Sequence, residues 1–204
     1  MTSSDLERQS ARLRREVLDI LEGGLMGLLE RQFGKIHLAG SVALDLMTWP
    51  DIDLFCHLEH ADRTKLMVFA PPLAEQLERQ GYRLFRAKFN DEHLRPDSRA
   101  SKPGLYGGYE FLNNRTQVAW KLDFWGWSEA EYAVDLADKA RLAERLMSAD
   151  RRLILELKTV LHHHPEYRKT VYSVDIYSFA LERAGSTLEE FWRWLEARRA
   201  EKPS

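Results

Sequence analysis

Apolar and polar positions follow two rhythms along this chain, and the change between them divides it. Over residues 4–31, Leu6, Leu13, Val17, Ile20, Leu21 and Leu28 recur near helical spacing. This predicts an amphipathic helix, with Gly23-Gly24 as a point of interruption. The period then shortens to two. Lys35–Ala39, Asp51–His57 and Tyr82–Phe89 read as strands, and Leu105–Leu112 and Gln117–Trp125 as two more joined at Asn113-Asn114. Gly40-Ser41 turns the first strand into a brief helix through Leu46. Pro71–Gln80 reads as a helix opened by proline and stopped by Gly81. From Ser128 the helical period returns in 129–147, 151–163 and 171–184. A last helix begins at Ser186, with Ser186 and Glu189 as a capping box and Gly185 ending the helix before it. The expectation is an α+β fold in two parts: a mixed sheet flanked by helices over 1–127, then a helical bundle over 128–204.

Charge and cysteine usage narrow the function classes. The 204 residues carry 30 Lys plus Arg against 32 Asp plus Glu, a net charge of −2. Nonspecific polyanion binders draw their affinity from a basic excess, so the composition disfavours nucleic acid as a partner. Cys56 is the only cysteine, which excludes an intrachain disulfide and a cysteine-rich zinc site. Asp5, Glu7, Arg8, Arg12, Arg14 and Arg15 interrupt the N-terminal leucines, leaving no apolar run for export or membrane insertion. A cytoplasmic protein without a membrane partner is expected.

Pleating sends alternate side chains of a strand to opposite faces. In Asp51-Ile52-Asp53-Leu54 the two carboxylates therefore share one face, while Ile52 and Leu54 enter the core. In Val118–Phe124 the buried set is Val118, Trp120, Leu122 and Phe124, with Lys121 and Asp123 on the other side. Three carboxylates and a lysine are thus offered on what could be a common face. Crowded carboxylates repel unless a cation neutralises them, and hard oxygen donors suit Mg²⁺ or Mn²⁺. Gly40-Ser41 stands just before this pattern, where glycine lets backbone approach a phosphate and serine adds a hydroxyl donor.

Together, His37-Leu38-Ala39-Gly40-Ser41, Pro50-Asp51-Ile52-Asp53-Leu54 and Lys121-Leu122-Asp123-Phe124 resemble the signature of the DNA polymerase β-like nucleotidyltransferase superfamily. The resemblance covers roughly residues 33–125. The helical tail is similar in kind to the accessory bundles of the antibiotic and other small-substrate nucleotidyltransferases. It implies that Asp51 and Asp53 hold the metals. Asp123 would complete the catalytic-metal site and take the proton of the attacking hydroxyl, and Gly40 and Ser41 would bind the terminal phosphates of an NTP such as ATP. The implied reaction moves a nucleoside monophosphate to a hydroxyl of a small molecule or a protein and releases pyrophosphate. In this sequence Val42, Ala43 and Leu44 follow Ser41, where many members place a basic residue. That departure motivates an alternative, a nucleotide-binding regulatory module without turnover. An antitoxin that adds AMP to a partner toxin is an intermediate version, although this chain is longer than the minimal forms of that group.

Other residues admit two readings. Lys121 either contacts a phosphate or balances the carboxylates beside it. Lys158, at the edge of the stripe formed by Leu153, Ile154, Leu157 and Leu161, either snorkels to solvent or reaches a phosphate. His162-His163-His164 points in three directions on a helix and reads as a cationic C-terminal cap before Pro165 rather than a metal site. His37 reads as a packed strand residue. Gly107-Gly108, between Tyr106 and Tyr109, marks a bulge or a close approach of ligand. Trp120, Trp125, Trp127, Trp192 and Trp194 include core residues and candidates for stacking on a ligand ring. The 90–104 segment, with Arg95, Arg99 and Lys102, is a candidate lid over the triphosphate.

Overall fold

The computed structural model describes residues 3–94 and 104–201. Helix α1 (Ser3–Ile20) buries Leu6, Ser10, Leu13, Val17 and Ile20, a run of alternating four- and three-residue steps that keeps one stripe inward. At Leu21–Leu25 the helix widens by one π-turn around Gly24, whose φ is 118°, before resuming as α2 (Met26–Phe33). The expected glycine interruption is therefore present. Two glutamine side chains from α5 (Ala70–Arg79) cover carbonyls at this break: Gln80 just past its end donates to Ile20, and Gln76 within it donates to Gly23.

Five strands follow: β1 (Ile36–Ala39), β2 (Asp51–His57), β3 (Tyr82–Asp91), β4 (Leu105–Asn113) and β5 (Ala119–Trp127). They form one mixed sheet in the order β1-β2-β5-β4-β3, in which only β2 and β5 run parallel. Short helices α3 (Gly40–Ala43) and α4 (Arg63–Met67) fill connections. After the sheet come α6 (Glu129–Leu146), α7 (Arg151–Leu161), α8 (Ser173–Glu182) and α9 (Leu188–Ala200).

One face of the sheet packs on α1, α2 and α5, burying Ile52, Leu54, Trp120, Leu122 and Phe124 completely or nearly so. A second apolar core lies among α7, α8 and α9 and takes in Leu46 and Leu6, so α1 contributes to both cores. Three boundary expectations need correction. Val118 is 37% exposed, because β5 begins a residue later and runs on to Trp127; Gln117 instead turns the chain at φ 59°. The last capping box is Thr187 with Glu190, one residue beyond the Ser186–Glu189 pattern. Arg183, at φ 51°, ends α8 before Gly185 is reached.

Candidate functional site

Asp51 and Asp53 stand on β2, and Asp123 on β5, all on the face turned away from the α1–α2 core. The parallel register sets Asp53 beside Asp123 and Asp51 beside Lys121. Among the described residues these three carboxylates form the one group able to hold a metal ion, with an oxygen from each within 4.8 Å of the others. Gly40 fixes the approach of α3 to this group. Its φ is 55°, and a methyl group there would lie 1.9 Å from Oδ2 of Asp53. Only glycine tolerates both the backbone and the contact. Ser41 follows it, largely buried, on the wall of the same cleft.

The carboxylates differ in what already holds them. Oδ2 of Asp51 accepts from Trp49 Nε1 at 3.2 Å and from Arg168 Nη2 at 3.0 Å. Its Oδ1 is buried and has no partner. A residue only 5% exposed thus keeps one acceptor unsatisfied, an arrangement that costs stability unless something fills it. Oδ1 of Asp123 accepts from the Tyr106 hydroxyl at 2.6 Å, while Lys121 pairs with Oδ2. Burial, followed by the Asp51 and Asp123 charges, pushes Asp53 up to about 7. Burial likewise raises Asp51, against the pull of Lys121. Two buried carboxyl groups that resist ionisation, one of them with an orphaned oxygen, beside the carboxylate of Asp123 fit a hard divalent cation such as Mg²⁺ or Mn²⁺.

Lys158 is brought to the same cleft, but not by snorkelling. It is 1% exposed; its Nζ donates to the Leu46 carbonyl at 2.7 Å and to the Tyr177 hydroxyl at 3.3 Å. It lies 4.9 Å from the centre of the Trp49 ring. Burial pulls its pKa down to about 8, while Asp53 and Asp51 act in the opposite direction. Lys121 pairs with Asp123, as the charge-balancing reading expects.

Sequence reasoning missed Trp49, Tyr106 and Arg168. The glycines beside Tyr106 do not mark a bulge: the irregularity in the β3–β4 pairing falls at Leu84/Arg86. Gly108 lies directly across from Asp123, and a Cβ there would sit 2.5 Å from the Tyr106 hydroxyl oxygen. The missing side chain leaves room for Tyr106 to reach Asp123. That juxtaposition was the signal available in Tyr-Gly-Gly-Tyr.

The histidine run does end a helix, with His162 as the C-cap. Burial and then His163 lower the pKa of His162, which works against a cationic form at this cap. The His162 ring stacks on Trp49 at 4.0 Å. His37 packs against Phe55 and meets the Tyr132 hydroxyl at 2.6 Å. Residues 95–103, which hold Arg95, Arg99 and Lys102, lie outside the described residues.

The carboxylates open onto a cleft of about 720 Å³ between the sheet and the C-terminal helices. Past Asp53 and Asp123 on the same strand faces come Phe55, Trp125 and Trp127, the two indoles stacked at 4.8 Å and 4°. Trp120, by contrast, is wholly core. A polar end and an aromatic end thus share one cavity, the usual make-up of a small-molecule site. No described helix is long and apolar enough to cross a membrane. No protein-family model matches the chain, and no curated protein matches it in sequence.

Proposed function

We propose that this chain is a metal-dependent nucleotidyltransferase that moves a nucleoside monophosphate from an NTP to a hydroxyl group. The observation that carries the reading is the convergence of Asp51, Asp53 and Asp123 within 4.8 Å, with Oδ1 of Asp51 buried and unpaired. In the transfer, the acceptor oxygen bonds to the α-phosphorus, the bond to the β-phosphate oxygen breaks, and pyrophosphate leaves. Bound divalent ions supply Lewis-acid polarisation of the phosphates and lower the pKa of the attacking hydroxyl. Asp51 and Asp53 would hold them, and Asp123 would complete the set and receive the hydroxyl proton. Gly40, packed against Asp53, and Ser41, next to it on the cleft wall, would orient the terminal phosphates with backbone and hydroxyl donors. Lys121, Lys158 and Arg168 line the same cleft and offset phosphate charge. Such chemistry relies on positioning and charge stabilisation, so it needs no protein nucleophile.

The Phe55, Trp125 and Trp127 end of the cleft would take the acceptor, which favours a small molecule or a protein side chain over a nucleic acid. A second reading, nucleotide binding without turnover, is favoured by one feature: both oxygens of Asp123 are engaged, by Tyr106 and Lys121. Incubation with each NTP labelled at the α-phosphate, Mg²⁺ or Mn²⁺, and a panel of hydroxyl acceptors separates the two. Labelled product with stoichiometric pyrophosphate supports transfer. Metal-dependent NTP binding with no pyrophosphate under any condition supports the regulatory module.

A further inference from the structure

The loop between α7 and α8 carries Arg168 to the carboxylates from a distant part of the chain. Its backbone is in the left-handed region, at φ 63°, and is fixed by the Arg168 N–H donating to the Val171 carbonyl at 2.8 Å. From there the guanidinium reaches Oδ2 of Asp51 while its side chain remains half exposed on the cleft wall. Trp49 donates to the same oxygen, and Oδ1 is left unpaired. The contact therefore occupies one edge of a prospective metal ligand and leaves the other open.

The charges facing the cleft suggest what happens when that ligand is taken. Asp51, Asp53 and Asp123 face Lys121, Lys158 and Arg168, three acids against three bases, and the further pair Asp135–Lys139 cancels itself. A pair of divalent ions would add about four positive charges, and a triphosphate brings about as many negative ones. The two together preserve the balance, whereas either alone upsets it. Of the three bases, Lys158 is fully buried and tied to Leu46 and Tyr177. Lys121 neighbours Asp123 on the same strand. Arg168 alone combines a loop position, half exposure and a fork of donors suited to a phosphate.

We infer that Arg168 is a two-position residue: it holds Asp51 while the metal site is empty and turns to a polyphosphate anion once a divalent ion takes Asp51. The inference rests on the metal-centre reading above and extends it to how cation and anion are coupled. Arg168 competes with the metal for Asp51 and attracts the anion that follows, so removing it moves the two affinities in opposite directions. Coupling of this kind is reciprocal by thermodynamic necessity.

The test uses the full chain as wild type, Arg168→Met, Arg168→Lys and Asp53→Asn. Mn²⁺ binding is titrated by electron paramagnetic resonance with no anion present. Inorganic tripolyphosphate binding is then measured by calorimetry at saturating Mg²⁺. Arg168→Met should tighten Mn²⁺ and weaken tripolyphosphate, each by about tenfold, the scale of losing one half-exposed charge-assisted hydrogen bond. Arg168→Lys, which keeps the charge without the fork, should fall between. A merely structural role would weaken both ligands together. If wild type binds Mn²⁺, Asp53→Asn abolishes that binding, and Arg168→Met fails to move the affinities in opposite directions, this inference is overturned while the metal centre stands. If wild type binds no Mn²⁺, the metal centre falls and the inference with it.

Discussion

Replacing Asp53 with Asn should make the metal-free protein more stable at neutral pH while destroying what the site is for. The side chain keeps its shape beside Gly40 but loses a charge that its surroundings resist. Asp53 is raised from its ordinary 3.8 to about 7, first by burial and then by Asp51 and Asp123. Each unit is worth about 1.4 kcal/mol, so ionising Asp53 in the folded state costs up to about 4 kcal/mol. Part of that is shared with its two carboxylate neighbours, so we expect the variant to gain about 2 kcal/mol at pH 8. The sign follows from proton counting. Between about pH 4 and 7 the folded chain holds a proton that the unfolded chain has released, so wild-type stability falls as pH rises through this window. Urea denaturation in EDTA at pH 4, 5, 6, 7 and 8 reads this directly. The two proteins should agree near pH 4 and diverge to a plateau above pH 7. Mg²⁺ at a hundred times its dissociation constant should then raise wild type by about 2.7 kcal/mol and leave Asp53→Asn unmoved. A variant less stable than wild type at pH 8 in EDTA would refute the reasoning, since Asp53 would then be held by favourable contacts rather than strained by burial.

Three other substitutions probe the parts around it. Gly40→Ala forces a side chain at φ 55°, costing about 1–2 kcal/mol. It also drives the Asp53 carboxylate aside, so calorimetry should show Mn²⁺ affinity falling by more than about tenfold. Tyr106→Phe removes the donor to Asp123, and Gly108→Ala pushes that donor away. Each should free that oxygen of Asp123 and tighten Mn²⁺ by a similar factor, and the double variant should bind no tighter than either, a non-additivity measurable in a double-mutant cycle. Thr187→Ala should cost about 1 kcal/mol in thermal or urea unfolding, because its hydroxyl accepts from the Glu190 N–H, whereas Ser186→Ala should cost far less.

What could be read from sequence is what local periodicity encodes. Strand alternation alone put Asp51 and Asp53 opposite Ile52 and Leu54, and Lys121 and Asp123 opposite Leu122 and Phe124. The break at Gly23-Gly24 was also legible, since glycine leaves a mark in an otherwise regular stripe. Strand and helix ends were harder. Val118 is apolar and in phase with Trp120, yet a left-handed Gln117 ends the turn there and leaves Val118 outside the core. The partners of the carboxylates were not legible at all. Arg168 is 117 residues from Asp51, and the Leu46 carbonyl is 112 from Lys158, so both contacts exist only after tertiary packing. Lys158 shows the difference well. Its place at the edge of an apolar stripe fits snorkelling, and what decides otherwise is a carbonyl and a tyrosine hydroxyl supplied by other segments.

The central claim, that Asp51, Asp53 and Asp123 form one metal centre on a nucleotide site, is tested most directly by crystals grown with Mn²⁺ and a non-hydrolysable NTP. Anomalous scattering at the manganese edge locates the ion independently of any assumption about activity. We predict a peak at coordination distance, about 2.0–2.3 Å, from oxygens of all three aspartates, with the triphosphate beside Gly40 and Ser41. Manganese bound only at exposed surface carboxylates, with the three aspartates still held by Arg168, Lys121 and Tyr106, would contradict it.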